Sequence, residues 1–181
     1  MKQARELLRA RGVLTLGELA EAIAGEPISG TWWSHPKGKL IFNVASALED
    51  APGVLACKLL GRATFVDEAL FPALYRVVTD EAFRADATKR ISPAARKVVR
   101  RAARAPLRLE KKDLSPREKA ALEKACIMHI SSEHTTSGRH ATVVRSWESW
   151  ASAATKRAAK KLTVESALEK LRAASPLFMM P

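Results

Sequence analysis

The chain is 181 residues long and 47% hydrophobic, with 31 lysines and arginines against 19 aspartates and glutamates, a net charge of +12 at pH 7. The hydrophobic share supports a real core and argues against global disorder, and the length suits one ordinary domain or a small domain with a helical extension. No apolar run approaches the ~18 residues of a membrane span, and Met1-Lys2-Gln3-Ala4-Arg5-Glu6 lacks the apolar stretch of a secretion signal. Cys57 and Cys126 stand alone, outside any metal or disulfide pattern. The expectation is a cytoplasmic protein without cofactor, metal or membrane partner, whose positive field draws a polyanion.

The first predicted helix spans 2–11, with Leu7 and Leu8 inward, and stops at Gly12. Thr15 caps the second, with Glu18 completing a capping box, and Leu16, Leu19, Ala20 and Ile23 form its apolar face up to Gly25. A turn-rich segment with two adjacent tryptophans follows, Pro27 to Gly38. The third helix runs from about Lys39 to Asp50, and Pro52-Gly53 ends it. Val54–Leu60 and Ala63–Val66 read as a hairpin around Gly61-Arg62, and Asp67 caps a further helix with Leu70, Phe71, Leu74, Val77 and Val78 inward.

Helix, helix, helix, hairpin, together with the Leu-Gly-Glu-Leu-Ala-Glu-Ala-Ile run at 16–23, resembles winged-helix DNA-binding modules over residues 2–66. The resemblance implies a winged-helix-like domain at 1–80 that binds DNA. Unlike the tight turn usual in that family, about a dozen residues separate the second and third helices. The third helix, with Lys37, Lys39, Asn43 and Ser46, lacks a row of base-reading side chains.

Residues 81–125 are helical and charged, and residues 89–112 hold ten basic residues against one acid, Glu110. Arg96, Arg100 and Arg104 recur every four positions, Lys97 and Arg101 run beside them, and Ala95, Val98, Val99, Ala102 and Ala103 fill the other side. Like charges at that spacing repel. The simplest compensation for a stripe without acids is a polyanion, bound with steep salt dependence. The same helix could lie on a membrane, but its apolar side lacks Trp, Phe or Leu anchors. Asp113 or Ser115 caps a helix at 115–126 with Pro116 at its first position.

Residues 127–134 and 139–146 read as a second hairpin around Thr135-Thr136-Ser137-Gly138, and 147–161 and 163–174 as closing helices before a frayed tail. Lys156, Arg157, Lys160 and Lys161 form a second basic cluster. The expected fold is therefore α-rich α+β: a winged-helix-like N-terminal half, and a helical C-terminal half, 81–181, with a second β-hairpin packed on the first domain. No internal repeat is visible in the sequence. Trp32-Trp33-Ser34-His35-Pro36-Lys37-Gly38 and Glu133-His134-Thr135-Thr136-Ser137-Gly138-Arg139-His140 resemble segments of uncharacterised bacterial proteins, a likeness that implies no function.

Three functions fit. In the first, duplex DNA binds a basic surface of Arg96, Lys97, Arg100, Arg101 and Arg104, with Arg139, Lys156 and Lys160 contributing. Trp32 and Trp33 either plug the core or stack on a base, with His35 and Lys37 near phosphate. The second is a DNA-processing or base-excision repair enzyme. With a four-residue loop, 133 faces 140, and His129, Ser131, Glu133, His140 and Thr142 share one face. Glu133 and His140 then form an acid/base pair with Trp32 or Trp33 as wedge, or merely a polar cross-strand contact. A zinc site of His129, His134 and His140 fails in that register because His134 points the other way. The third is an RNA- or ribosome-associated basic protein.

Overall fold

The computed structural model describes residues 1–134 and 140–179. They form ten α-helices and two small antiparallel sheets of three strands each. In chain order the first half comprises α1 (Lys2–Arg11), β1 (Val13–Thr15), α2 (Leu16–Ala24), α3 (Gly38–Glu49), β2 (Val54–Leu59), β3 (Arg62–Asp67) and α4 (Phe71–Val78). The second half comprises α5 (Glu81–Lys89), α6 (Pro93–Ala102), β4 (Leu107–Arg108), α7 (Pro116–Ala125), β5 (His129–His134), β6 (His140–Arg145), α8 (Trp147–Trp150), α9 (Ala153–Ala159) and α10 (Val164–Ala174).

Local chemistry sets most boundaries. Gly12, at φ 78°, closes α1. The capping box before α2 forms as expected: the Thr15 hydroxyl accepts from the Glu18 amide and the Glu18 carboxylate accepts from the Thr15 amide. Ser115 and Glu118 repeat the device before α7. Two helices expected as continuous are divided by serine caps. Ser92, followed by Pro93, separates α5 from α6, and Ser152 accepts from the Thr155 amide and separates α8 from α9.

The first sheet has the order β1-β3-β2. Its pleat sorts side chains onto two faces. Leu14 opposes Phe65, which opposes Ala56, and this face packs with Leu8, Leu19, Ala45 and Leu48 of the first three helices. Val13, Val66 and Leu55 face the other way, into a core with Leu74, Val77 and Val78 of α4, Leu171 of α10 and Trp147. Helices therefore cover both faces. β1 was not expected from the sequence. Three residues show no alternation, and the strand exists because it pairs with β3.

The first hairpin turns at Leu60-Gly61 rather than Gly61-Arg62, with φ of 51° and 80°. A two-residue loop of this kind needs positive φ at both positions. Leu60 is held there by tertiary contacts: its amide donates to Cys126 Sγ at 3.0 Å, and the Gly61 amide donates to the Glu123 carbonyl at 3.3 Å. The turn is thus seated on the end of α7.

The second sheet repeats the strand order, as β4-β6-β5, and β2 of the first sheet lies against β5 of the second. In each half a helix leads into a short strand, then one or two helices, then a hairpin whose last strand takes the centre. The sequence shows no such repeat because topology is preserved while residues are not. Ile130 and Val144 face a third core with Ile91, Val98, Ala102, Leu122 and Met128. Pro176–Met179 form a 3₁₀ helix where fraying was expected, because Leu177 and Phe178 pack into the α4–α10 core.

Candidate nucleic-acid interface

α6 carries the basic stripe. Ala95, Val98 and Ala102 are buried against the second sheet and α7, while Arg96, Lys97, Arg100, Arg101 and Arg104 are all exposed. Neighbouring cations find carboxylates: Arg101 meets Asp113 at 3.2 Å, Lys112 meets Glu110 at 2.8 Å, Arg108 meets Glu133 at 3.5 Å, and Arg90 pairs with Asp86. Among the described residues Arg96, Lys97, Arg100 and Arg104 have no such partner. The hydrogen bond from the Glu110 amide, and after it the one from Arg101, holds Asp113 below the usual carboxylate range.

The segment between α2 and α3 builds itself. Trp32–Ser34 form a single 3₁₀ turn, the His35 amide donates to the Trp32 carbonyl, and the Gly38 amide donates to the His35 carbonyl. A Cβ on Gly38 would lie 2.9 Å from the Trp33 carbonyl oxygen, so only glycine lets α3 start this close. His35 Nε2 lies 3.2 Å from Glu26, and its Nδ1 accepts from the Lys37 amide. Lys37 donates to the carbonyls of Ile23 and Ala24, satisfying the end of α2. The polar atoms of His35 and Lys37, expected near phosphate, are thus engaged within the loop. The indoles are not core plugs. Trp33 is 60% exposed and stacks on Trp32 at 3.9 Å, with Phe42 at 5.3 Å on its flank.

The second hairpin differs from the expected register by one residue. His134 opposes His140, Glu133 opposes Ala141, and Ser131 opposes Val143, because five residues rather than four separate the strands. Glu133 and His140 are therefore not cross-strand partners, and Glu133 pairs with Arg108 instead. Thr142 likewise leaves the face of His129 and Ser131 and accepts a hydrogen bond from Lys119 at 2.7 Å. The expected contribution of Arg139 lies outside the described residues. Lys156 and Lys160 line a cleft between α4 and α9.

Sequence reasoning missed the surroundings of His129. The ring is buried, stacked on Trp150 at 5.9 Å and edge-on to Trp147 at 5.3 Å, opposite Arg145. Burial, reinforced by the Arg145 charge, pushes its pKa down to about 3. An unfolded histidine titrates near ~6.5, so the unfolded chain takes the proton first. Stability is then full above pH ~6.5 and declines as pH falls from there toward ~3, by about 1.4 kcal/mol for each unit of depression. His129→Phe, which retains a flat ring beside Trp150, is expected to flatten urea midpoints measured between pH 6.5 and 5. Parallel losses in both proteins would exclude His129 as the source. The two thiols do not supply a nucleophile. Burial pushes Cys126 up to about 11 and Cys57 well above its ordinary value.

Comparison of the chain with family models, curated proteins and solved structures finds no match. Among the described residues no helix is long and apolar enough to cross a membrane, and no group of three His, Cys, Asp or Glu side chains is arranged to hold a metal ion.

Proposed function

We propose that the protein binds duplex DNA through the exposed face of α6. The observation that carries this is the partition of charge. Arg90, Arg101, Arg108 and Lys112 meet carboxylates within the chain, whereas Arg96, Lys97 and Arg100 on α6 and Arg104 in the turn that follows it have no carboxylate partner among the described residues. Four such charges repel one another and favour a closely spaced anionic lattice, which the phosphates of a duplex provide. The order helix, strand, helix, helix, strand, strand, with the short strand paired to the last, supports a winged-helix-like first half. Its docking would differ from the family's usual one. The exposed side of α3 carries Lys39, Leu40, Asn43 and Glu49, a single cation, and the hairpin turn is occupied by α7.

The test is fluorescence anisotropy of labelled duplex DNA, single-stranded DNA and duplex RNA at two salt concentrations. Duplex DNA is expected to bind most tightly, with an affinity that falls steeply as salt rises. Absence of binding at low salt would overturn the proposal, and a preference for duplex RNA would make the partner RNA. Glu133→Gln frees Arg108 from its ion pair, so duplex affinity should not fall.

Exposure of Trp33 favours a second role on the same ligand, a platform for an unpaired base. Stacking of one base on an aromatic ring is worth ~1–3 kcal/mol. Trp33→Ala is therefore expected to weaken binding to gapped or single-stranded DNA by roughly tenfold while sparing intact duplex. Equal effects on both, or on neither, would remove the platform from the mechanism.

A further inference from the structure

α4 and α9 pack against each other and leave between them a cleft of about 460 Å³ lined by Tyr75, Arg76, Thr79, Lys156, Lys160 and Leu162. Lys156 on α9 and Lys160 at its C-cap are one helical turn apart, so both reach the same wall. Lys156 is half-buried and Lys160 exposed, and neither ammonium group has a hydrogen bond or carboxylate partner among the described residues.

The other charged residue lining the cleft is already matched. Arg76 donates through Nε to the Leu162 carbonyl at 3.1 Å and lies 3.6 Å from Asp80. Glu148, whose charge reaches Tyr75, is held by Arg84 at 2.6 Å. Two positive charges are left without compensation, in a concavity large enough for a small ligand. Tyr75 adds a hydroxyl with no partner among the described residues, kept as a donor because burial, then Glu148, raises its pKa.

We propose that the α4–α9 cleft binds a phosphate group, held by Lys156 and Lys160. A phosphate monoester carries about −1.5 to −2 charges at neutral pH, which matches the surplus, and two neighbouring diesters of a nucleic-acid backbone, with one charge each, match it as well. The phosphate comes either from the backbone of the DNA bound at α6, in which case the site rests on that function, or from a small phosphorylated molecule.

The experiment titrates inorganic pyrophosphate by calorimetry, and labelled duplex DNA by anisotropy, into three full-length proteins: the natural sequence, Lys156→Gln/Lys160→Gln, and Arg96→Glu/Arg100→Glu/Arg104→Glu. Pyrophosphate is expected to bind the natural protein and the α6 variant equally, and the lysine variant at least about tenfold more weakly. Lys156→Arg/Lys160→Arg should restore binding, which a merely structural role would not explain. If the lysine variant also loses duplex affinity and its salt slope falls by about two, the phosphate belongs to the nucleic acid. If duplex binding is untouched, the ligand is a small phosphorylated molecule. Failure of pyrophosphate to bind the natural protein, or equal binding by the lysine variant, overturns the site. Loss of duplex binding in the α6 variant alone would leave the proposed function standing without it.

Discussion

Arg96→Glu/Arg100→Glu/Arg104→Glu is expected to lower duplex DNA affinity by at least roughly a hundredfold at low salt, and to reduce the log–log salt slope by about three. Arg96 and Arg100 stand on successive turns of α6 and Arg104 in the turn that continues it; all three are exposed and have no carboxylate partner among the described residues. Reversal removes three phosphate contacts and places three repelling charges in their positions. The substitutions touch none of Ala95, Val98 and Ala102, which bind the helix to its core. The melting temperature should therefore change little: the three introduced carboxylates repel one another at i, i+4 as the arginines do, while Lys97 and Arg101 beside them become opposite charges. Reversal of the paired Arg101, which already meets Asp113, should cost less affinity than any one of the three. If duplex affinity and salt slope are both unchanged in the triple variant, α6 is not the contact surface and the search for one starts elsewhere.

Trp147→Ala should cost the most stability of any single substitution considered for this chain, about 4 kcal/mol. The side chain is fully buried in the core that joins the first sheet to α4 and α10, although it follows directly on β6 of the second sheet. Its indole N–H donates to the Cys126 carbonyl at 2.8 Å, and its ring meets Trp150 and His129 edge-on. Truncation leaves a large cavity and one carbonyl without its donor, and each adds to the cost. For a domain of this size that is a fall of roughly 10 °C in melting temperature. Trp147→Phe keeps most of the buried area and loses the hydrogen bond, so its effect should be about a third as large. Urea unfolding of the two variants measures both. A loss below ~1 kcal/mol for the alanine variant would mean that the halves do not depend on this ring.

The sequence showed its local structure well and its tertiary structure less well. Gly12, the Thr15–Glu18 capping box and Pro116 mark helix ends by backbone chemistry that needs no distant partner, and they fall where expected. β1 and the Leu60 turn do not, because each conformation is supplied by a partner far along the chain: β3 for the strand, Cys126 and Glu123 for the turn. The basic stripe was readable because α6 is amphipathic at helical spacing. The exposure of Trp33 was not, since adjacent tryptophans look alike whether they plug a core or cover a surface. The Glu133–His140 pairing failed by one residue of register, an error that carries every side chain to the opposite face of a strand and that loop length alone decides.

The contact between β2 and β5 also bears on how the chain avoids its neighbours. Each is the outer strand of its own sheet, with half of its backbone donors and acceptors unused by that sheet. Open edges of this kind template pairing with other molecules and lead to aggregation. Here β2 and β5 lie against one another without joining into one sheet, and the hairpin turn is fastened to α7. Each half acts as the guard for the other. A cut between them would free two sticky edges at once, and the separated pieces would be prone to assemble into fibres or exchanged dimers.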